Sequence, residues 1–353
     1  MAFLKAEGIK VCGVSACVPT QIDENCLSPL FDKETLKHVI NTTGIKQKRK
    51  TSYDVCTSDL CIHAAEKIIS DLAWGKEDIS LLVFVSHTMD YILPPTSPII
   101  QNKLGLSTNC YTIDISLGCS GWVYGMSVAA SLLKLIPSQK GRALLLVGDT
   151  LSKIVSNGDK STYPLFGDAG TATALELMAD AEPMLFDMNS DGDGYKAIII
   201  NDGGSRNPVS ESSFNNITRG EGIISNNTQL VLNGMDVFSF GIKRAPESIN
   251  KLIDNFHLNK DQIDYFLFHQ ANFFMNEQIR KKLKIPIEKV PYSFSDFGNT
   301  SGATIPLTMV TQLNDILREK KLNHIACGFG VGLSWGSMYF STDKISCCPL
   351  IEV

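Results

Sequence analysis

The sequence predicts an α/β protein built from two related βα halves, each with a central mixed sheet, in layered packing with helices between and outside the sheets. Three observations predict it. The segment Lys76-Glu-Asp-Ile79-Ser-Leu-Leu-Val-Phe-Val-Ser86 returns 184 positions later as Lys260-Asp-Gln-Ile263-Asp-Tyr-Phe-Leu-Phe-His269-Gln270, in each case a turn followed by an apolar strand. At the same offset the helical stripe Ile68, Ile69 and Leu72 falls opposite Leu252, Ile253 and Phe256. Leu117-Gly118-Cys119-Ser120 then meets Phe297-Gly298-Asn299-Thr300, 180 positions on. A helix, a strand and a glycine corner repeated in order predict a half spanning 1–178 and a half spanning 179–353, with the active residues where the two meet.

Composition excludes several classes. With 353 residues, 44% hydrophobic and 20% charged, the chain can bury one large core or two coupled ones. A net charge of −5 provides no electrostatic footprint for nucleic acid. The ten cysteines are scattered and form no C-x-x-C pair, which fits reduced thiols in a cytoplasmic protein. Met1 to Val18 alternates as a strand does and does not resemble a signal peptide, and no run reaches the roughly 18 apolar residues of a membrane helix. Asn189-Ser-Asp191-Gly-Asp193-Gly194 has the carboxylate spacing of a calcium loop but lacks its closing glutamate, so it predicts an Asp/Gly turn and no metal site.

Cys119 stands where a strand gives way to a helix. The β-branched run Tyr111 to Ile115 predicts a strand, the turn Ser116 to Gly121 follows, and apolar periodicity predicts a helix from Trp122 to about Ile136, with Met126 in the core. A thiol at a helix N-terminus meets unpaired N–H groups and the positive end of the dipole, which favours the thiolate and predicts a nucleophile at neutral pH. A buried structural thiol fits the same residues. His269 ends the repeated strand and Asn299 occupies the corner equivalent to that of Cys119, so an imidazole and an amide reach strand ends near the thiol. Both can donate to a thioester oxygen that becomes an enolate. The loop Gly328-Phe-Gly330-Val331-Gly332 offers backbone N–H groups for an oxyanion hole. His63, His87, His257 and His324 have no recognisable partner and receive no role.

Five motifs carry a family resemblance: Gly118-Cys119-Ser120-Gly121, Phe166-Gly-Asp-Ala-Gly170, His269-Gln-Ala-Asn272, Gly298-Asn299-Thr-Ser301 and Gly330-Val-Gly332-Leu-Ser-Trp335-Gly336. From about Gly8 to Phe340 the chain resembles the β-ketoacyl-acyl carrier protein synthase III enzymes of the thiolase fold. The resemblance implies an acyltransferase in which Cys119 takes an acyl group from a primer thioester. His269 and Asn299 would then stabilise the enolate formed when malonyl-acyl carrier protein loses carbon dioxide. It implies no tightly bound cofactor, acyl-coenzyme A or acyl-carrier thioesters as substrates, acyl carrier protein as partner, and a homodimer. By the same resemblance Phe329 excludes water from the acyl pocket, and Leu93, within Asp90 to Pro98, closes the pocket of the second copy. Contacts to coenzyme A or the carrier fall to Lys160, Gly234, Phe238, Asn272, Lys281 and Lys282, the last two within the basic run Arg280 to Lys284.

The departures from that pattern concern the acyl donor. A tryptophan and an arginine that clamp adenine in the family are His38 and Thr42 here, and an arginine two places after the His-Gln-Ala-Asn motif is Phe274. These losses predict that coenzyme A is a poorer primer donor here than in the family's housekeeping enzymes, and that a carrier-bound or otherwise unusual acyl group is preferred. The segment Asp202 to Gln229, rich in Asn, Ser and Gly, predicts a loop insertion that either caps the tunnel or makes a surface excursion. Three activities fit these residues: decarboxylative condensation, acyl transfer to a hydroxyl or amine, and acyl binding without catalysis.

Overall fold

Runs such as Ile79–Val85 (ISLLVFV) and the leucine-rich Arg142–Thr150 have no polar alternation, and in the computed structural model, which describes residues 2–137 and 141–353, they are the central strands of a sheet covered on both faces. The order across this first sheet is Ile9–Val18, Asp168–Leu177, Arg142–Thr150, Ile79–Val85 and Tyr111–Ile115. The second sheet runs Met184–Ser190, Ser334–Asp343, Lys321–Gly330 and Tyr265–Phe268. Ile79–Val85 lies parallel to Arg142–Thr150, and the next two neighbours are antiparallel. Tyr265–Phe268 repeats that pattern with its own three neighbours. The duplication read from the sequence is thus a duplication of sheet topology.

The edges differ. Tyr111–Ile115 has no counterpart strand around residues 291–295, where Pro291 removes a ladder donor and Phe294–Phe297 turns into a short helix. The chain ends also change sides. Ala2–Ala6 pairs with Met184–Ser190 in the second sheet, whereas Ser346–Cys347 and Ile351–Glu352 pair with Ile9–Val18 in the first. A cut at 178/179 therefore divides the sequence but leaves strands of each piece on the other's sheet.

Two helices fill the space between the sheets. Gly121–Leu135 touches Ile79–Val85 and Arg142–Thr150 on one side and Lys321–Gly330 and Ser334–Asp343 on the other. Its sequence, GWVYGMSVAASLLKL, is apolar around most of its circumference for that reason, and Trp122, Val123, Met126 and Leu133 are fully buried. Thr304–Gln312 is its partner in the same layer. Thr57–Asp71 covers the outer face of the first sheet and Gly234–Phe256 that of the second, each through the repeated stripe. No helix among the described residues is long and apolar enough to cross a membrane. The Asp191 carboxylate accepts from the Asp193 N–H at 3.2 Å and caps the short turn Gly192–Ala197, a local use of the carboxylate that explains the Asp/Gly spacing.

Candidate active site

Cys119 follows the end of Tyr111–Ile115 and precedes Gly121–Leu135, with Ser120 as the helix N-cap. The end of Lys321–Gly330 passes directly over it: a Cβ at Gly330 would lie 2.6 Å from Cys119 Cβ and 2.8 Å from its Sγ. Only glycine admits that approach. The sulfur opens into a cavity of about 230 Å³ that His269 and Asn299 also line. Its wall is otherwise largely apolar, with Leu151, Ile154, Phe166, Ile198, Leu230 and Leu232 among its members.

His269 leaves the end of Tyr265–Phe268 and is buried, with its ring edge-on to Phe329 at 5.4 Å between centroids. Its Nδ1 lies 2.8 Å from Thr304 Oγ1, and the Thr304 hydroxyl donates to the Ser301 carbonyl at 2.9 Å. That hydroxyl has one proton, so Nδ1–H donates to Oγ1 and Nε2 keeps its lone pair. Burial pushes the imidazole down to about 3, so it is neutral at pH 7.

Asn299 is fixed by a crossing of two segments. Its N–H donates to the Leu165 carbonyl at 2.8 Å, and its own carbonyl accepts from Gly167 at 3.1 Å. Gly298 sits at φ +66°, and a Cβ there would meet Leu165 O at 2.6 Å, so the Gly-Asn-Thr-Ser motif begins with the residue the crossing demands. Asn299 Oδ1 accepts the Ser301 N–H at 2.9 Å. The amide orientation is thereby set, and Nδ2 is the group left to donate.

The acidity of Cys119 departs from the sequence expectation. Burial pushes the thiol up to about 11, with the Asp149 carboxylate acting in the same direction. The Ser301 hydroxyl and the N–H groups of Val331 and Cys119 pull it down by less. Dehydration beneath Gly330 outweighs the helix terminus, and the resting pair is a neutral thiol with a neutral imidazole. Alkylation of Cys119 by iodoacetamide, followed by peptide mass mapping, is expected to rise about tenfold per pH unit from pH 7 to 9 without a plateau. A plateau below pH 8 would show a thiolate already formed.

The remaining predicted residues divide by place. Phe329, Gly330 and Val331 line the cavity, whereas Gly332, at φ +137°, lies in the turn beyond it. A second cavity of about 350 Å³ shares Phe166, Leu232, Val237, Ala271, Met275 and Asn299 with the first and continues it outward as a tunnel. Lys160, Gly234, Phe238 and Asn272 line this outer part together with His38, Thr42 and Phe274. Asn272 also caps Phe273–Lys282 by accepting the Met275 N–H at 2.9 Å. Lys281 and Lys282 are exposed on that helix and line neither cavity. Arg280 is withdrawn from the basic run by two 2.7 Å contacts to Glu277. Leu93 is 82% exposed and does not line the cavity of its own chain.

The insertion forms a wall at its base and an excursion beyond. Ile198–Ile200 and Leu230–Leu232 pair antiparallel and line the cavity, while residues 202–229 line neither part of the tunnel. They dock instead on the loop at 156–160, where Lys160 N–H donates to Gly222 O at 2.9 Å. Sequence reasoning missed Thr304, Ser301 and His87, which the fold brings to the site. At the 184-residue offset His87 falls opposite Ala271 and not opposite His269, so the repeat does not mark it.

Known proteins resemble this chain in sequence and fold. Residues 113–194 match the family described as 3-oxoacyl-[acyl-carrier-protein] synthase III, and residues 253–342 match its C-terminal family. The β-ketoacyl-[acyl-carrier-protein] synthase III of Staphylococcus haemolyticus is 32% identical over 339 residues, covering 96% of this chain and 99% of that protein. The enzyme of the same name from Clostridioides difficile is 31% identical, covering 93% and 96%. The crystal structure of a 3-oxoacyl-(acyl-carrier protein) synthase from Burkholderia xenovorans LB400 superposes with a TM-score of 0.93 at 35% identity, over 100% of this chain and 99% of that one. Thiolase-type layering, the shared cavity and these likenesses agree, and the chain belongs to the 3-oxoacyl-[acyl-carrier-protein] synthase III family.

Proposed function

We propose that the chain is a decarboxylating condensing enzyme, which takes an acyl group onto Cys119 and joins it to the carbon freed from malonyl-acyl carrier protein. The observation that carries this reading is the convergence of Cys119, His269 and Asn299 on one buried cavity at the end of an apolar tunnel. Cys119 comes from the half 1–178, His269 and Asn299 from the half 179–353.

In the first half-reaction His269 Nε2 accepts the thiol proton, Cys119 Sγ bonds to the primer carbonyl carbon, and the donor's carbon–sulfur bond breaks. The departing thiolate takes the proton back from Nε2. The N–H groups of Val331 and Cys119 serve the tetrahedral oxyanion. In the second, the malonyl carboxylate leaves as carbon dioxide and its electron pair moves onto the thioester oxygen as an enolate. Asn299 Nδ2 donates to that oxygen. The Thr304 hydroxyl, turned from the Ser301 carbonyl to Nδ1, selects the tautomer whose Nε2–H donates as well. The enolate carbon then attacks the acyl-Cys119 carbonyl, the carbon–sulfur bond breaks, and the released thiolate takes a proton from solvent, the one proton that decarboxylative condensation consumes. No resident cofactor takes part.

The donor side of the tunnel favours a carrier-bound primer. Phe238 and Phe274 stack at 5.4 Å where an arginine would face the phosphates of coenzyme A, leaving Lys160 as the cation at the mouth. Phe274→Arg is expected to lower the KM for acetyl-coenzyme A about tenfold, the effect of one half-exposed charge-assisted bond. Steady-state kinetics with the two donors check this: an unchanged KM would move donor choice away from position 274. An acidic carrier would approach Lys160, Lys281 and Lys282. The exposed apolar run Tyr91, Ile92 and Leu93 suits burial against a second copy, giving a cytoplasmic homodimer.

Intact-protein mass spectrometry tests the reading. Acyl-carrier thioesters are expected to add one acyl mass at Cys119, which malonyl-acyl carrier protein removes as β-ketoacyl product forms. Acylation that malonyl leaves untouched would favour transfer to another acceptor, and no acylation would favour a binding subunit.

A further inference from the structure

We infer that His87 is a specificity-determining residue, and that the acyl group taken onto Cys119 carries a hydroxyl or keto oxygen within its first few carbons. The inference rests on the condensing-enzyme reading and concerns the same cavity.

His87 lies two residues beyond the end of Ile79–Val85, in a segment held by one carboxylate oxygen. Asp149 Oδ1 accepts the His87 N–H at 2.8 Å, the Thr88 N–H at 3.1 Å and the Ser86 hydroxyl at 2.9 Å, and Asp149 is itself fully buried. The backbone under the imidazole is therefore fixed. The ring lies against Gly118, the residue before the nucleophile: a Cβ there would sit 2.7 Å from His87 Cδ2. This places the imidazole beside the thiol end of the cavity, where the first carbons of a Cys119-bound acyl group must pass.

His87 Nε2 is buried and has no hydrogen-bond partner among the described residues, and the residue lines the cavity shared by Cys119, His269 and Asn299. Ser301, whose hydroxyl also lies against Gly118, lines the same cavity but makes no hydrogen bond to that nitrogen. His87 and Ile154 also border a further cavity, lined by Thr88, Asp90, Thr150 and Lys153. A buried ring nitrogen without a partner is costly, and a plain alkyl chain packed on it would keep it so. A hydroxyl can donate to a bare Nε2, and a keto oxygen can accept from Nε2–H. Both satisfy the nitrogen, and a site built to bond an oxygen discriminates strongly against the analogue without one.

The test compares acylation of Cys119 by N-acetylcysteamine thioesters of butyrate, 2-hydroxybutyrate, 3-hydroxybutyrate and 3-oxobutyrate, followed by mass spectrometry. The wild type is expected to favour at least one oxygenated primer over butyrate by tenfold or more in kcat/KM. The arms separate the hydroxyl from the keto form. His87→Phe, similar in shape and without a ring nitrogen, is expected to bring that ratio to one or below, and His87→Gln, which keeps a donor and an acceptor, to restore part of it. A ratio near one in the wild type, or one that His87→Phe leaves unchanged, overturns the inference while leaving condensation intact. If His87→Phe does not fold, the wild-type ratio and His87→Gln decide. Failure of every primer to acylate Cys119 would overturn both the inference and the condensing-enzyme reading, and equal acylation by all four would overturn the inference alone.

Discussion

Cys119→Ala is expected to gain no acyl mass from any thioester and to lose product formation by a factor on the order of 10⁴ or more, the scale seen when a nucleophile is removed from a catalytic unit. No other thiol can substitute. Among the ten cysteines Cys119 alone lines the cavity, and burial pushes the thiols of Cys12, Cys17, Cys327, Cys347 and Cys348 up to about 12. Cys26 is exposed on the short turn Asn25–Leu27 and serves as an internal control for non-enzymatic labelling. Removing one buried sulfur costs about 1 kcal/mol of packing, too little to unfold a domain, so the thermal midpoint should move by only a few degrees. An acylated Cys119→Ala protein, or one that retains condensation, would remove Cys119 from the mechanism.

Asn299→Asp separates the two half-reactions. The substitution keeps the shape and keeps an oxygen for the Ser301 N–H, so the crossing at Leu165 and Gly167 survives. It replaces the amide donor with a carboxylate oxygen facing the site of the enolate. Loss of one oxyanion donor costs roughly 10²–10³ in rate, and a like charge adds to it, so condensation should fall by about 10³ or more. Acylation of Cys119 relies on the N–H groups of Val331 and Cys119 and should persist. The pH dependence has a definite sign: the introduced carboxyl regains a donor once it is protonated, so residual condensation should rise as pH falls. Single-turnover decay of acyl-Cys119 on malonyl addition measures this. Equal loss in both steps would show that position 299 supports the thiol rather than the enolate.

Part of this site is legible in the sequence because local patterning and tertiary placement agree. Tyr111–Ile115 reads as a strand residue for residue, and the helix expected from Trp122 to about Ile136 forms as Gly121–Leu135. The equivalence of Cys119 and Asn299 follows from repeated glycine corners, which each half needs for a close approach, to the Leu165 carbonyl at Gly298 and to the His87 and Ser301 side chains at Gly118. What stays hidden depends on residues brought from elsewhere. The state of the thiol is decided by Gly330 shutting water out from another strand, against the local preference of a helix terminus. Thr304 meets His269 across 35 positions, and nothing in its own sequence neighbourhood marks it as the partner of an imidazole. Arg280 read as part of the basic run Arg280 to Lys284, yet Glu277 at i−3 claims it, and Tyr292 completes that cluster with a 2.8 Å bond to the same carboxylate. Short terminal strands such as Ser346–Cys347 offer too few residues for any period to register.

The exchange of chain ends makes the two halves dependent on each other for closure. Ala2–Ala6 finds its partner only once Met184–Ser190 has been made, and the edge beside Ile9–Val18 stays open until Ser346–Cys347 and Ile351–Glu352 have been made. Such long sequence separations slow folding. Neither half is complete without strands from the other. The active site at the seam is thereby guarded against fragments: a nascent or truncated chain holding Cys119 lacks both the closed sheet and the residues that would let its thiol react.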